Sequence, residues 1–380
     1  PNDWTLIGPA APVKTGPEPA SPVDLEPFPK SAVAASGSEG RKEPAEVESS
    51  GHPPAWHGTL LPQGDGDVWL AAAFADYEKI VAFEKALKHQ ATGGTLDRDA
   101  NDRLEVASFA PRSRWLSAVR RLGHDVALTS TAFDWHTNEW CDIAAGKGVL
   151  LLAALRGELG PEVFDPFMDV FGRAHAGQPT ATSDFLAAAE KAAGRSLAKL
   201  LDAWMQSDAT RLAPAGCWSI DAFECEPEKA LIVYGTRAES QATREAATLL
   251  QRKILRRGSN VTVEIKADSE VNDDDLANYH LLLVGRPAVN SVTARSVKSL
   301  AASFTDGSFT VKGSTYAHAD SAIVVAGDNP FSRRWSVVVY AGLGARATRR
   351  AVESLPDRGV PMLPAIVLAR GQKPRRICLD

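Results

Sequence analysis

The chain has 380 residues, 44% of them hydrophobic and 23% charged, and a formal net charge of -5. That is the composition of a globular protein with room for two or three domains, and it excludes collagen-like, coiled-coil and wholly disordered chains. The acidic balance removes the positive field that nonspecific nucleic-acid binding needs, and no apolar run approaches the ~18 residues of a spanning helix. Four cysteines are too few for a disulfide scaffold, and none form a C-x-x-C pair for zinc. Cys217 and Cys225 flank a Trp-containing loop and could close a small disulfide in an oxidising compartment, or stand as two buried thiols. The chain opens on Pro1 rather than Met, as expected of a processed product or a portion of something longer, from which any secretion signal has gone.

Residues 1–54 hold 11 of the 24 prolines, mixed with Ser, Ala, Gly and Glu. Such a stretch supplies neither a ladder nor a helical face, so an extended arm is expected, ordered only where it lies along something else. Trp4, Leu6, Ile7, Leu25 and Phe28 are its apolar anchors.

From Val68 to Gln206 the pattern is helical. Trp69 to Leu87 is Ala-rich with no internal Gly or Pro, and Gly148 to Leu159 is an apolar helix that stops at Gly160-Pro161. Thr182-Ser183-Asp184 caps the run Phe185 to Ala193, which Gly194 ends, and Leu197, Leu200, Leu201 and Trp204 mark a further amphipathic helix.

After Pro214 the period changes. Short apolar runs at 230–234, 261–265, 280–284, 322–326, 336–340 and 365–369 read as strands, with helical stretches at 239–256, 289–302 and 345–355 between them. That alternation predicts a mostly parallel sheet with helices packed on it. The expected organisation is α and α/β multidomain: an extended arm 1–54, an all-helical domain 55–214, an α/β domain 228–372 and a tail 373–380.

The segment Asp67-Val68-Trp69-Leu70-Ala71-Ala72-Ala73-Phe74-Ala75-Asp76-Tyr77 resembles the helix that bears the third zinc ligand in aminopeptidase N-like (gluzincin) metallopeptidases, W-L-x-E-G-F-A-x-Y. The Glu position of that pattern is Ala72 here, and the Gly after it is Ala73. Upstream, Trp56-His57-Gly58 stands where the family's aromatic-aromatic-Gly triplet follows its H-E-x-x-H helix, one residue short of family spacing. Counting back puts Ser50 and Pro54 at the two histidine positions and Gly51 at the catalytic Glu, and Pro53-Pro54 would break the helix. Downstream, Ala144-Ala145-Gly146-Lys147-Gly148 is similar to P-Y-x-K-G, whose Tyr supports the tetrahedral intermediate; Lys147 and Gly148 are kept and the Tyr position holds Ala145. The text from Leu155 to Trp204 continues in family style, so the resemblance covers roughly residues 50–206.

A catalytic zinc needs three protein ligands and an open position for water. Ser50, Pro54 and Ala72 supply none that is competent, and His52 and His57 lie in Pro-rich sequence without a common helical face. The resemblance therefore implies a peptidase scaffold without its chemistry, no metal or other cofactor, and a role as a structural or protein-interaction subunit of an extracytoplasmic, periplasmic or secreted bacterial assembly. The alternatives are an active zinc aminopeptidase with ligands from missing segments or another chain, and a small-molecule binding module at the sheet edge.

Other candidate residues follow from local pattern. Trp56, Trp69, Trp135, Trp140 and Lys147 are candidates for a peptide or partner surface, since aromatics favour interfaces. The turn from Gly342 to Ala347, with Gly344, fits G-x-G-x-x-A after a strand and could hold an anion, though the acidic residue that should end the next strand is missing. Arg286 and Asn290 lie after the strand 280–284, in a stretch similar to C-terminal modules of secreted bacterial hydrolases, where α/β folds bind ligands. Asp268, Glu270, Asp273, Asp274 and Asp275 lack the central Gly of a calcium loop and read better as the capped start of a short helix. His318 with Asp320 and Asp328 lacks a nucleophile elbow, so a structural histidine is expected there.

Overall fold

Trp69, Leu70, Ala73, Phe74, Tyr77 and Val81 are all buried, at the three-to-four spacing that gives helix α1 (Val68–Gln90) one apolar stripe. The computed structural model describes residues 60–132, 134, 136, 138–206, 209–212, 218–356 and 362–379, and Ser50–Asp380 form one compact unit. The expected arm, with Ser50, Gly51, Pro54 and Trp56, lies outside the described residues, as do Trp135 and Cys217.

Two short parallel strands, β1 (Leu61–Pro62) and β2 (Pro179–Thr180), flank the helices. Helix α2 (Arg98–Leu122) starts at Asp97, whose carboxylate accepts from Ala100 N–H, and stops at Gly123 in the left-handed region. It runs through Pro111. Helix α3 (Glu139–Leu159) ends at Gly160, and Pro161 is the first residue of α4 (Pro161–Ala174). The expected stop is thus also a start, because proline costs nothing in a first turn whose N–H groups have no partner anyway. Helices α5 (Thr182–Ala193) and α6 (Ala198–Met205) complete this half.

Helix α3 packs between α1 and α2, and two glycines set how closely. At Gly148 a Cβ would stand 2.6 Å from the Ala73 Cβ of α1, and at Gly146 it would meet the Pro111 carbonyl of α2. Between them lies Lys147.

The second half is a sheet of β3 (Ala230–Tyr234), β4 (Glu264–Ala267), β5 (His280–Val284), β9 (Ala322–Asp328), β10 (Ser336–Gly342), β11 (Ala365–Leu368) and β12 (Arg375–Ile377). Its order is β12-β11-β9-β10-β5-β3-β4. Strands β10, β5, β3 and β4 run parallel, whereas β10–β9, β9–β11 and β11–β12 are antiparallel. The sheet is therefore mixed, not mostly parallel as the sequence pattern suggests. A parallel pair needs a long crossover, and the short turn from Asn329 to Trp335 can only join antiparallel neighbours.

Helices α7 (Ser240–Ile254) and α10 (Ala345–Glu353) cover one face, burying Ile232, Leu250, Val338 and Tyr340. The other face buries Leu231, Leu281 and Val339 under α8 (Asp273–Asn278), α9 (Ser291–Ser296) and a small meander, β6 (Ala302–Phe304), β7 (Phe309–Val311) and β8 (Ser314–Tyr316). Strand β5 is buried along its whole length, which explains its unbroken apolar text.

Residues 373–380, set apart as a tail in the sequence reading, contribute edge strand β12. Arg375 on that strand donates to Asp102 of α2, and Lys312 lies 3.7 Å from the same carboxylate and 2.6 Å from Glu105. These pairs clamp α2 to the α/β half.

Candidate functional site

The face of α1 and α3 that carries the peptidase-like motifs is built as packing. Ala72 is half-buried and Ala145 buried, and both end in a methyl group. Trp69 has no exposed surface; its indole N–H donates to Thr182 Oγ1 at 3.0 Å and its ring meets Phe185 edge-on. Lys147 is equally enclosed. Its ammonium donates to Asp125 Oδ2 and the Val126 carbonyl, each at 2.8 Å, and to the Gln206 carbonyl. Asp125 in turn accepts from Trp115 Nε1 at 2.9 Å and Ala209 N–H at 3.1 Å. Three donors meet three acceptors, which is what a buried charge requires. Trp69 and Lys147 are thus interior groups and not part of a partner surface: tryptophan and lysine at helical spacing point inward wherever a buried partner waits. Trp140 is half-buried in the first turn of α3. Among the described residues, no group of three or more His, Cys, Asp or Glu side chains could hold a metal ion.

The carboxyl edge of the sheet has the topology of a ligand site, since strand order reverses between β3 and β5. Its own loops fill it. Gly235 N–H donates to the Val284 carbonyl and Arg237 N–H to that of Val289, and a Cβ on Gly235 would meet the Val289 carbonyl oxygen at 2.5 Å. Asn290 is buried, donating to the Val233 and Val284 carbonyls while its Oδ1 caps α9. Arg286 pairs with Glu239 at 3.0 Å. At the glycine turn after β10, Gly342 N–H donates to Thr348 Oγ1, and α10 packs so close that any Cβ there would strike it. Gly342 therefore serves strand-to-helix packing.

The acidic run disperses into local roles. Burial pushes the Asp268 carboxyl up, yet donors from Ser291 and Thr236 hold it below its ordinary value. Asn272 and Asp275 form a reciprocal cap at the start of α8. His318 Nδ1 accepts from Asp320 N–H and its Nε2 lies 3.1 Å from Arg370, whereas Asp328 pairs with Arg120 on α2. No triad forms from these residues. Cys225 is a free thiol at the surface, and partial desolvation by its neighbours raises its pKa and that of Cys141, so neither is primed as a thiolate.

What the sequence reading missed is a pair of clefts where α2 meets the turn between β9 and β10. The first, about 840 Å³, is lined by Leu116, Val119, Arg120, Pro330, Arg333 and Arg334 among others. The second, about 770 Å³, lies across Arg334 and takes in Arg121, Glu139, Cys141, Asp142, Cys225 and Glu226. Arg334 divides them, donating to the last-turn carbonyls of Arg120 and Arg121 at 3.2 and 3.1 Å and to Glu226 at 2.8 Å. Arg120 stacks over Trp218 at 3.9 Å and lies 3.6 Å from Asp328. In the second cleft Arg121 binds Glu139 and Asp142, each at 2.8 Å, and burial still raises the Asp142 carboxyl pKa. Junctions between structural layers are where concave sites gather. The only sequence signal for them is the basic turn Pro330-Phe331-Ser332-Arg333-Arg334-Trp335 between two apolar strands.

No protein-family model matches the chain, and no curated protein matches it. Among solved structures the chain is weakly similar to M1 zinc metallopeptidases. A substituted M1 zinc metallopeptidase from Deinococcus radiodurans bound to a Tyr-Ser-Ala substrate overlaps at 20% identity and a TM-score of 0.28. Two-domain M1 zinc metallopeptidases bound to L-arginine and to L-tryptophan give 20% and 19% identity with TM-scores of 0.28 and 0.27. Each overlap covers 39% of this chain and 29% of the other, so the chain spans less than a third of the structures it matches. Among the described residues no helix is long and apolar enough to cross a membrane.

Proposed function

We propose that this chain is a catalytically inactive relative of aminopeptidase N-like metallopeptidases that works as a structural or protein-interaction subunit. The observation that carries the reading is a division of labour within one motif. Of the residues kept from the resemblance, Trp69, Leu70, Phe74, Tyr77, Lys147 and Gly148 serve helix packing, whereas the positions that would do chemistry, Ala72 and Ala145, end in methyl groups. A methyl group neither ligates a cation nor donates a hydrogen bond to an oxyanion, so the chain keeps the parts that hold the fold and lacks the parts that would act on substrate.

Two measurements on the whole chain test this together: bound zinc by elemental analysis, and hydrolysis of aminoacyl-amide substrates with and without a chelator. Substoichiometric zinc and no hydrolysis are expected. About one zinc per chain, or amide cleavage that a chelator abolishes, would overturn the reading.

A further inference from the structure

We propose that the cleft between the last turns of α2 and the β9–β10 turn docks the carboxyl terminus of a partner polypeptide whose final side chain is apolar. Charge sets what the cleft can take. Arg120 is matched by Asp328 and stacked on Trp218, and Arg334 is matched by Glu226 and the end of α2. Arg333 is exposed and has no side-chain partner among the described residues, so the described lining of the cleft carries one unbalanced positive charge. In the second cleft, Glu139 and Asp142 are taken by Arg121 and Glu226 by Arg334, which leaves no such excess.

Shape and polarity narrow the ligand. Leu116, Val119 and Pro330 give the cleft an apolar wall, and Leu122 beside it on the same last turn is 41% exposed, one of few large apolar side chains at the surface. The cleft is open to solvent, and its volume of about 840 Å³ is within the ~300–1,000 Å³ of sites for drug-sized ligands, room for a chain end of one or two residues. A cation next to an apolar wall matches a group that carries a carboxylate and a hydrocarbon on one carbon. A C-terminal apolar residue is that group: its carboxylate reaches the Arg333 guanidinium, a planar donor suited to it, while its side chain covers Val119 and Pro330.

Docking at this cleft is independent of the loss of peptidase chemistry, which zinc content and hydrolysis decide. Its own test is calorimetric titration of the whole chain with Ac-Gly-Gly-Leu as free acid, the same peptide as C-terminal amide, and Ac-Gly-Gly-Gly as free acid. The leucine acid is expected to bind at least ~10-fold tighter than either control, a difference of ~1.4 kcal/mol. Arg333→Glu, at an exposed position that folding does not depend on, should remove that advantage and leave the amide unaffected. Four outcomes would sink the proposal: equal affinity for acid and amide, equal affinity for leucine and glycine peptides, indifference to Arg333→Glu, or no heat from the leucine acid up to ~10 mM, ten times a ~1 mM dissociation constant. Acetate or inorganic phosphate binding as tightly as the leucine acid would also sink it, marking a simple anion subsite.

Discussion

Two basic residues meet opposite fates in this molecule. Lys147 lies in the middle of α3 with no exposed surface, and every proton of its ammonium has an acceptor; Arg333 lies on a turn in solvent with none among the described residues. Lys147 belongs to a motif that resembles a catalytic segment, yet its surroundings make it part of the interior. Arg333 belongs to no motif, yet it charges an open cleft. Residue type within a pattern does not assign a role; the count of partners around the charged atom does.

The contrast is broken most severely by removing the acid under Lys147. Asp125→Ala leaves an ammonium buried without a counter-charge and should cost ~3–5 kcal/mol of stability by chemical denaturation, whereas replacing the pair together with Lys147→Met and Asp125→Leu should cost far less. A single variant that unfolds at the wild-type midpoint would show that the site is not sealed. Gly148→Ala tests the same region through space: with Ala73 Cβ only 2.6 Å from the new methyl group, a loss of ~1–3 kcal/mol is expected from overpacking.

His280 extends the comparison to a buried group that must stay neutral. It sits between Trp218 and Trp335 with Nδ1 2.8 Å from Ser336 Oγ, and burial, with the nearby charge of Arg334, pushes its pKa down to about 3 from 6.5. The unfolded chain takes up a proton on this residue below pH 6.5 and the folded chain does not, so stability falls as pH drops through that window toward about 3. The slope is ~1.4 kcal/mol per pH unit once the unfolded form is protonated, and His280→Asn should flatten it in denaturation curves taken across that range. At the cleft itself the effects on stability shrink. Arg334→Ala loses an exposed pair and a helix-end contact, worth ~1 kcal/mol, and Arg333→Glu should move stability by less than ~0.5 kcal/mol, so any change in peptide binding by the second variant is not a folding defect.

Much of the helical half was legible from its text. Helices α1, α3 and α5 were written in apolar spacing and closed by Gly160 and Gly194. Helix α2 was not recognised, because its arginines and Pro111 dilute the apolar stripe, although the first buried positions, Asp102 and Val106, keep helical spacing. Six strands of the large sheet were placed to within a few residues and the meander β6–β8 was missed; strand directions were not legible, since direction depends on the length of each connection and β9 returns through a short turn. Edge strand β12 reads as basic, polar text, and its register comes only from pairing with β11. The clefts were invisible for a different reason: Arg334 and the carbonyl of Arg120 that it caps are 214 residues apart. The basic turn Pro330–Trp335 marks one side of the clefts, and nothing local says that it meets α2.

The clamp between Asp102 and Arg375 spans 273 residues of chain. On a ribosome, the Asp102 carboxylate is made long before the Arg375 guanidinium, so until β12 is translated it has only Lys312 of its two basic partners. Closure of so long a loop is entropically late. Nascent chains halted before β12 therefore hold α2 without the Arg375 contact, and β12 is the fastener that completes the clamp.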